Sequence, residues 1–293
     1  QKYNQGPGCD QPMLESDIIK NKVASSIAHL YQRPRVWLEG FHSSGWGTSS
    51  QDLADALARN FVMGHTLLSL HGFYYSTHGS WWEWAPPCNC VRVPYWKDMK
   101  QLLAAVERMS YLLSQGVHCA PVAILYPVAA MEGGIEGEVA VETAFSMGES
   151  LYSSGIDLDY LDFESLRRAE IAGGALQIAG ESYSVVVIPN MRTIRGETIQ
   201  KLCAFAQAGG KVICVGDFPI FSDLALEGLE EEFRLTGGII VPPEEAVNRI
   251  RSLVQADIVP EQTAEYYTLH RRIDGMDVFM SYGIPKGTRC LYR

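Results

Sequence analysis

At 293 residues the chain has room for one large domain or two of ordinary size. Its 47% hydrophobic and 20% charged residues suit a soluble globular protein, and no run reaches the roughly 18 apolar residues of a membrane span. The 24 basic and 34 acidic residues leave a net charge of −10. That argues against a nucleic-acid partner, whose phosphates need a basic face, and is compatible with a neutral ligand such as a sugar.

In chain order, the spacing of Ile18, Ile19, Val23, Ile27 and Leu30 predicts a helix over 16–31, capped by Ser16 and broken by Pro34. Residues 35–41 read as a strand, followed by the loop 42–48. A second helix starts near Ser50, turns Leu53, Ala56, Leu57 and Phe61 inward and ends at Gly64. Residues 65–75 read as a strand whose run Leu67-Leu68-Ser69-Leu70 suggests cover on both faces. A long loop over 76–94 leads to a third helix over 97–115, closed by Gly116. The order is αβαβα, with a lengthened loop after each strand.

From Pro121 the alternation repeats with shorter loops. Strands are expected at 122–126, 185–188, 211–216 and 239–241, with half-buried segments near 157–161 and 176–178. Helices are expected at about 139–153, 196–208 and 244–255. This outlines a doubly wound parallel sheet. Residues 266–273 and 277–282 then read as strands of a hairpin turning at Asp274-Gly275. The expected domains are 1–117, 118–260 and a β-rich start over 261–293. A chain that opens on Gln1 and stops soon after a new β element is expected to be a fragment. Seven scattered cysteines, with no CxxC pair and no signal-peptide pattern, lean towards a reducing, cytoplasmic setting.

The chemistry is expected where barrel active sites lie, at the C-terminal ends of the strands. Glu39 ends the first strand among Trp37, Phe41 and Trp46. It reads as a nucleophile or general base, against the plainer reading of a carboxylate bonded to backbone amides or an arginine. His71 ends the next strand ahead of Gly72-Phe73-Tyr74-Tyr75, and His78 lies in the loop beyond. Each is a candidate for substrate contact or a satisfied structural histidine. His42 follows Glu39 too closely to separate orientation from catalysis. Trp81-Trp82-Glu83-Trp84 puts three indoles in four residues on a loop. Such rings suit the apolar faces of sugars, or they plug the barrel mouth. Glu83 is a second candidate carboxylate. Asp157, Asp159, Asp162 and Glu164 are explained by strand alternation and a helix start rather than by a metal. Cys214, inside an apolar strand, is read as core and not as an amidotransferase nucleophile.

The runs Val36-Trp37-Leu38-Glu39-Gly40-Phe41, Gly45-Trp46-Gly47, Leu70-His71-Gly72-Phe73-Tyr74-Tyr75-Ser76 and Pro94-Tyr95-Trp96 resemble large multidomain bacterial glycoside hydrolases of the α-L-rhamnosidase-like type. Ala123-Ile124-Leu125-Tyr126-Pro127, Asp157-Leu158-Asp159-Tyr160-Leu161 and Ala208-Gly209-Gly210-Lys211-Val212-Ile213 resemble the α/β domain that follows the barrel there, and in one β-galactosidase group. The resemblance implies an α/β chain: the last βα units of a (β/α)8 barrel, then a doubly wound, flavodoxin- or amidotransferase-like domain. It implies a glycoside or oligosaccharide substrate, with Glu39 as one of two carboxylates. His42, Trp46, His71, Tyr74, Tyr75, His78, Trp81, Trp82 and Trp84 are then substrate-binding candidates. The partner acid is expected from an earlier strand, so the isolated chain is expected to be weakly active or inactive. The rival reading is a non-catalytic carbohydrate-binding or interaction module built on the Trp-rich loop. No cofactor and no metal is expected from the residues. Calcium enters through the resemblance alone, and no nucleic acid or membrane is expected; a homo-oligomer is compatible.

Overall fold

A computed structural model describes residues 3–14, 18–76, 85–225 and 227–293. The chain divides into two compact units, residues 1–116 with 273–275 and residues 117–272 with 276–293.

The first unit holds β1 (Gly8–Gln11), α1 (Lys22–Leu30), β2 (Trp37–Gly40), α2 (Ser50–Val62), β3 (Leu67–Leu70) and α3 (Met99–Leu113). The three strands form one parallel sheet in the order β1-β2-β3. β1 was not expected, and it makes three strands where the alternation of apolar residues showed two. Its side chains explain why. Cys9 and Gln11 point to the helix side and are satisfied by polar partners rather than by apolar packing. Gln11 Oε1 accepts from Asn21 Nδ2 at 2.6 Å. Cys9 Sγ lies 3.0 Å from His65 Nε2, while His65 Nδ1 lies 3.1 Å from the Asn60 carbonyl. Burial pushes His65 down to about 4 and the Cys9 thiol up to about 12, so this is a neutral pair that ties β1 to the start of β3. Gly8 is needed because the Trp37 backbone and side chain pass over it; a Cβ there would sit 2.6 Å from the Trp37 carbonyl oxygen.

The expected helix over 16–31 opens as a 3-10 turn at Ile18–Asn21, and Ser16 lies outside the described residues. α2 is fixed by a capping box. Ser49 Oγ accepts from the Asp52 amide at 3.2 Å, and the Ser49 amide donates to Asp52 Oδ2 at 2.9 Å. Gly64, at φ +98°, then ends it. The expectation that β3 is covered on both faces is overturned. Leu67 is 43% exposed and Ser69 is exposed, because side chains alternate and the helices cover only one face of this sheet.

The second unit opens with β4 (Val117–His118), β5 (Val122–Leu125), α4 (Val128–Gly133), α5 (Gly137–Tyr152), β6 (Leu158–Leu161) and α6 (Phe163–Arg168). Next come β7 (Glu170–Ala172), β8 (Ala175–Ile178), β9 (Glu181–Tyr183), β10 (Val185–Pro189), α7 (Gly196–Gln207) and β11 (Lys211–Val215). It finishes with α8 (Leu229–Leu235), β12 (Ile239–Val241), α9 (Pro243–Arg251), β13 (Ile258–Pro260), β14 (Tyr267–Ile273), β15 (Met276–Tyr282) and β16 (Cys290–Tyr292). A five-stranded parallel sheet runs β12-β11-β10-β5-β6. The chain enters at β5, steps out to β6, crosses back to β10 and continues to β11 and β12. Helices α5 and α9 pack together, while α6, α7 and α8 pack in series.

Val122, Ile124, Val185, Val187, Ile213 and Val215 are each at most 1% exposed, as the apolar runs require. Full burial contributes about 1.5–3 kcal/mol per side chain. Cys214 is buried in β11 and pushed up to about 12 by that burial, a core thiol as expected. The segment at 176–178 departs from the parallel pattern: it belongs to the separate antiparallel sheet β7-β8-β9. The hairpin β14–β15 turns at Asp274 and Gly275, both with positive φ (49° and 80°), as a type I′ turn demands.

Candidate active site

Glu39 is the third residue of β2 and the register partner of Asp10 on β1 and Ser69 on β3. Register partners in a parallel sheet point to the same face, so all three lie on the face opposite the helices. The plainer reading of Glu39 required backbone amides or an arginine. Among the described residues it accepts no hydrogen bond, and its charged neighbour is His71, with Nε2 4.0 Å from Glu39 Oε1. That separation is an electrostatic contact and too long for a hydrogen bond. The Glu39 side chain is 32% exposed, so it is reachable while half-sheltered.

His71 is positioned from the loop that follows it. Asn89 Nδ2 donates to the His71 carbonyl at 3.1 Å, and the Asn89 amide donates to the Gly72 carbonyl at 2.9 Å. Tyr95 Oη donates to Asn89 Oδ1 at 2.5 Å. Tyr74 sets the edge of its ring against the His71 ring, 6.2 Å between centroids, and its hydroxyl donates to the Ala85 carbonyl at 3.0 Å. Burial raises that phenol above its ordinary value, with Cys88 adding to it. His71 Nδ1 is buried without a hydrogen-bond partner among the described residues. The ring nitrogen that faces Glu39 is the other one, Nε2.

His42 closes the group. Its Nε2 lies 3.1 Å from Asp10 Oδ1 and 3.2 Å from Oδ2, and its ring stands edge-on to His71 at 5.5 Å. Glu39, His42, His71 and Tyr74 therefore come together. Trp46 is 41% exposed, and Tyr75 stands fully in solvent. His78, Trp81, Trp82, Glu83 and Trp84 lie outside the described residues. Asp10, Asn89 and Tyr95 were missed. Asp10 sits on a strand with no apolar pattern, and the other two act through a loop whose folding no local spacing announces.

Among the described residues the arrangement does not form a calcium cage. Calcium takes six to eight oxygen ligands. On this face Asp10 is already engaged by His42, leaving Glu39 beside two imidazoles. Among the described residues no trio of ligand atoms converges around Glu39.

The sequence model of the alpha-L-rhamnosidase family matches residues 7–238. The chain belongs to that family. A relative from Formosa agariphila, which carries a provisional beta-glucuronidase name, is 26% identical over 203 residues, 66% of this chain. A rhamnosidase from Novosphingobium sp. PP1Y has the same fold over 95% of this chain, with a TM-score of 0.71 at 18% identity. A beta-galactosidase from Rahnella sp. R3 matches over 94% of the chain, with a TM-score of 0.50 at 13% identity, and covers 42% of that structure. The chain spans 16% of the Formosa relative and 29% of the Novosphingobium rhamnosidase. The family resemblance read from the motifs is thus correct, and the fold is a mixed α/β fold like that of glycoside-hydrolase barrel proteins.

Proposed function

We propose that this chain supplies one wall of a glycosidase active site acting on α-L-rhamnosides or related glycosides, with Glu39 as one of the two reacting carboxylates. The single observation that carries this is Glu39 itself: a carboxylate at a strand C-terminus with no hydrogen bond among the described residues. A structural carboxylate is normally paired, because leaving it partly desolvated and unsatisfied costs stability. Such a group is free to attack an anomeric carbon or to take a proton from water. His71 presents Nε2 to the Glu39 carboxylate at 4.0 Å, which makes it the neighbouring polar group of that acid. Asp10 holds His42 with both oxygens, which makes it a positioning residue rather than the second reacting acid. We read β1–β3 as the end of a (β/α)8 barrel. The strand order β12-β11-β10-β5-β6, which reverses direction between β5 and β10, supports reading the second unit as a flavodoxin-like accessory domain.

The test is hydrolysis of an aryl α-L-rhamnoside, beside an aryl β-galactoside, by the full protein and its Glu39→Gln variant. Turnover that survives the substitution at an undiminished rate would remove Glu39 from the chemistry. Turnover of the galactoside alone would keep the site and change the sugar.

A further inference from the structure

β4 pairs antiparallel with β14, His118 opposite Arg271 and Val117 opposite Arg272. Alternation then sorts the side chains onto two faces. His118 and Arg271 are buried on the inner face. Cys119, His270 and Arg272 turn the other way. The Cys119 amide donates to the His270 carbonyl at 3.0 Å, which holds the pairing one residue further. On that outer face they meet Ser182, the exposed middle residue of β9 between buried Glu181 and Tyr183, and Gln255 and Asp257 from the segment ahead of β13. Together these residues line a cleft of about 500 Å³. That volume is within the range of small-molecule sites, about 300–1,000 Å³.

The charges around this cleft neutralise one another. His270 lies between two carboxylates, Nδ1 3.1 Å from Asp257 Oδ2 and Nε2 2.9 Å from Asp277 Oδ1. Arg272 places Nε and Nη2 each 3.0 Å from Asp277 Oδ1. Hydrogen-bonding capacity remains after this pairing. Asp257 keeps its second oxygen as an acceptor, and Arg272 keeps Nη1 as a donor. Ser182 keeps its hydroxyl. Gln255 accepts from Arg293 Nη1 at 2.5 Å through Oε1 and keeps its amide N–H groups. An incoming anion would face Asp257 and Asp277, and an incoming cation would face His270 and Arg272. A ligand hydroxyl suits both sides, since it donates to a carboxylate and accepts from a guanidinium, hydroxyl or amide.

We propose that this cleft in the second unit is a saccharide-binding site separate from the Glu39 site, taking a neutral polyhydroxylated ligand of sugar size. It does not depend on the catalytic reading of Glu39. Cys119 in its wall provides the readout, and the Glu39→Gln background removes turnover at the other site. The full protein is alkylated with iodoacetamide at mildly alkaline pH, and Cys119 and Cys290 are followed separately by peptide mass mapping. The probes are L-rhamnose, D-galactose, inorganic phosphate and putrescine.

The expected result is that one of the sugars slows Cys119 alkylation, about elevenfold at ten times its Kd. The rate at Cys290 stays unchanged. Ser182→Tyr, which fills the cleft, and Arg272→Ala, which removes a donor, each abolish the protection; two variants are used so that a misfolded one does not decide the outcome. Protection by phosphate or putrescine alone would show a charged-ligand site and overturn the proposal. So would the absence of protection by either sugar, or protection that persists in both folded variants.

Discussion

Both units set histidine among carboxylates, and the two arrangements have opposite characters. On the open face of β1–β3, Glu39 has no hydrogen bond among the described residues, His71 approaches it at 4.0 Å, and Asp10 with His42 stands beside them, partly exposed. In the second unit His118 is fully buried, with Asp157 at 2.8 Å, Glu181 at 3.1 Å and Asp159 at 3.3 Å. Tyr183 Oη donates to Asp159 at 2.8 Å. Burial alone would strip the proton from His118; the three carboxylates overcome it and hold the imidazolium well above its ordinary value. The same residue types thus make a saturated internal brace in one unit and an unsaturated surface group in the other. Removing water without supplying partners is costly, so a buried cluster must be complete, whereas only a cluster left open to solvent can stay incomplete and reactive.

The largest effect that separates the two is expected at Glu39. Glu39→Gln is isosteric and removes no hydrogen bond among the described residues, so rhamnoside turnover by the full protein should fall about 10²–10⁴-fold. The urea-unfolding midpoint should stay near that of the wild type. A matching loss of stability would make Glu39 a structural carboxylate like its buried counterparts.

The complementary substitution is His118→Ala, which removes the imidazolium from among Asp157, Asp159 and Glu181 and leaves Arg271 as the buried cation near them. Stability should drop by about 3–5 kcal/mol in urea unfolding, the range for breaking a buried ion pair. A loss below about 1 kcal/mol, the worth of an exposed pair, would mean that water reaches this cluster and the contrast is false.

Asp10→Asn sharpens the picture within the first unit. It weakens one charge-assisted contact to His42, and kcat should fall about tenfold with little change in KM, as losing one such bond implies. An unchanged kcat would leave Asp10 a bystander on the sheet.

The smallest expected effect is a pH dependence in the second unit. Burial would lower the pKa of His270, and its bonds to Asp257 and Asp277 overcome that and raise it above 6.5. A group whose folded pKa is raised stabilises fully below its unfolded value and loses that contribution as pH rises through the folded one. The stability advantage of wild type over His270→Gln should therefore be largest below about pH 6.5 and shrink above it. Bonds from His270 and Arg272 lower Asp277, so its own contribution is present above 3.8 and lost in acid. Chemical denaturation of both proteins across this range gives the difference directly. A gap that grows with pH would place the charge on the other side of the contact.

Legibility differed between the units for the same physical reason. The parallel sheet of the second unit was readable because strands covered on both faces must be continuously apolar, and Val122 to Leu125, Val185 to Ile188 and Val212 to Val215 are. β1 was not readable. Its inward residues, Cys9 and Gln11, are held by His65 and Asn21, which are 56 and 10 residues away along the chain. Asp157 and Asp159 were understood as alternating residues on a strand, yet nothing local pointed to His118 as the group that holds them.

The alternation of strand and helix, the family and the choice of Glu39 as the residue to suspect were all legible in the amino-acid order. Periodicity, caps and turns are properties of neighbouring residues, and a strand-end acid among aromatics is visible in one short run. It took three dimensions to show that Glu39 accepts no hydrogen bond among the described residues, that Asp10 and His42 stand beside it, and that a chemically similar set around His118 is buried. Those facts depend on which side chains meet across strand register and on where water is excluded, and both are set by contacts between residues distant along the chain.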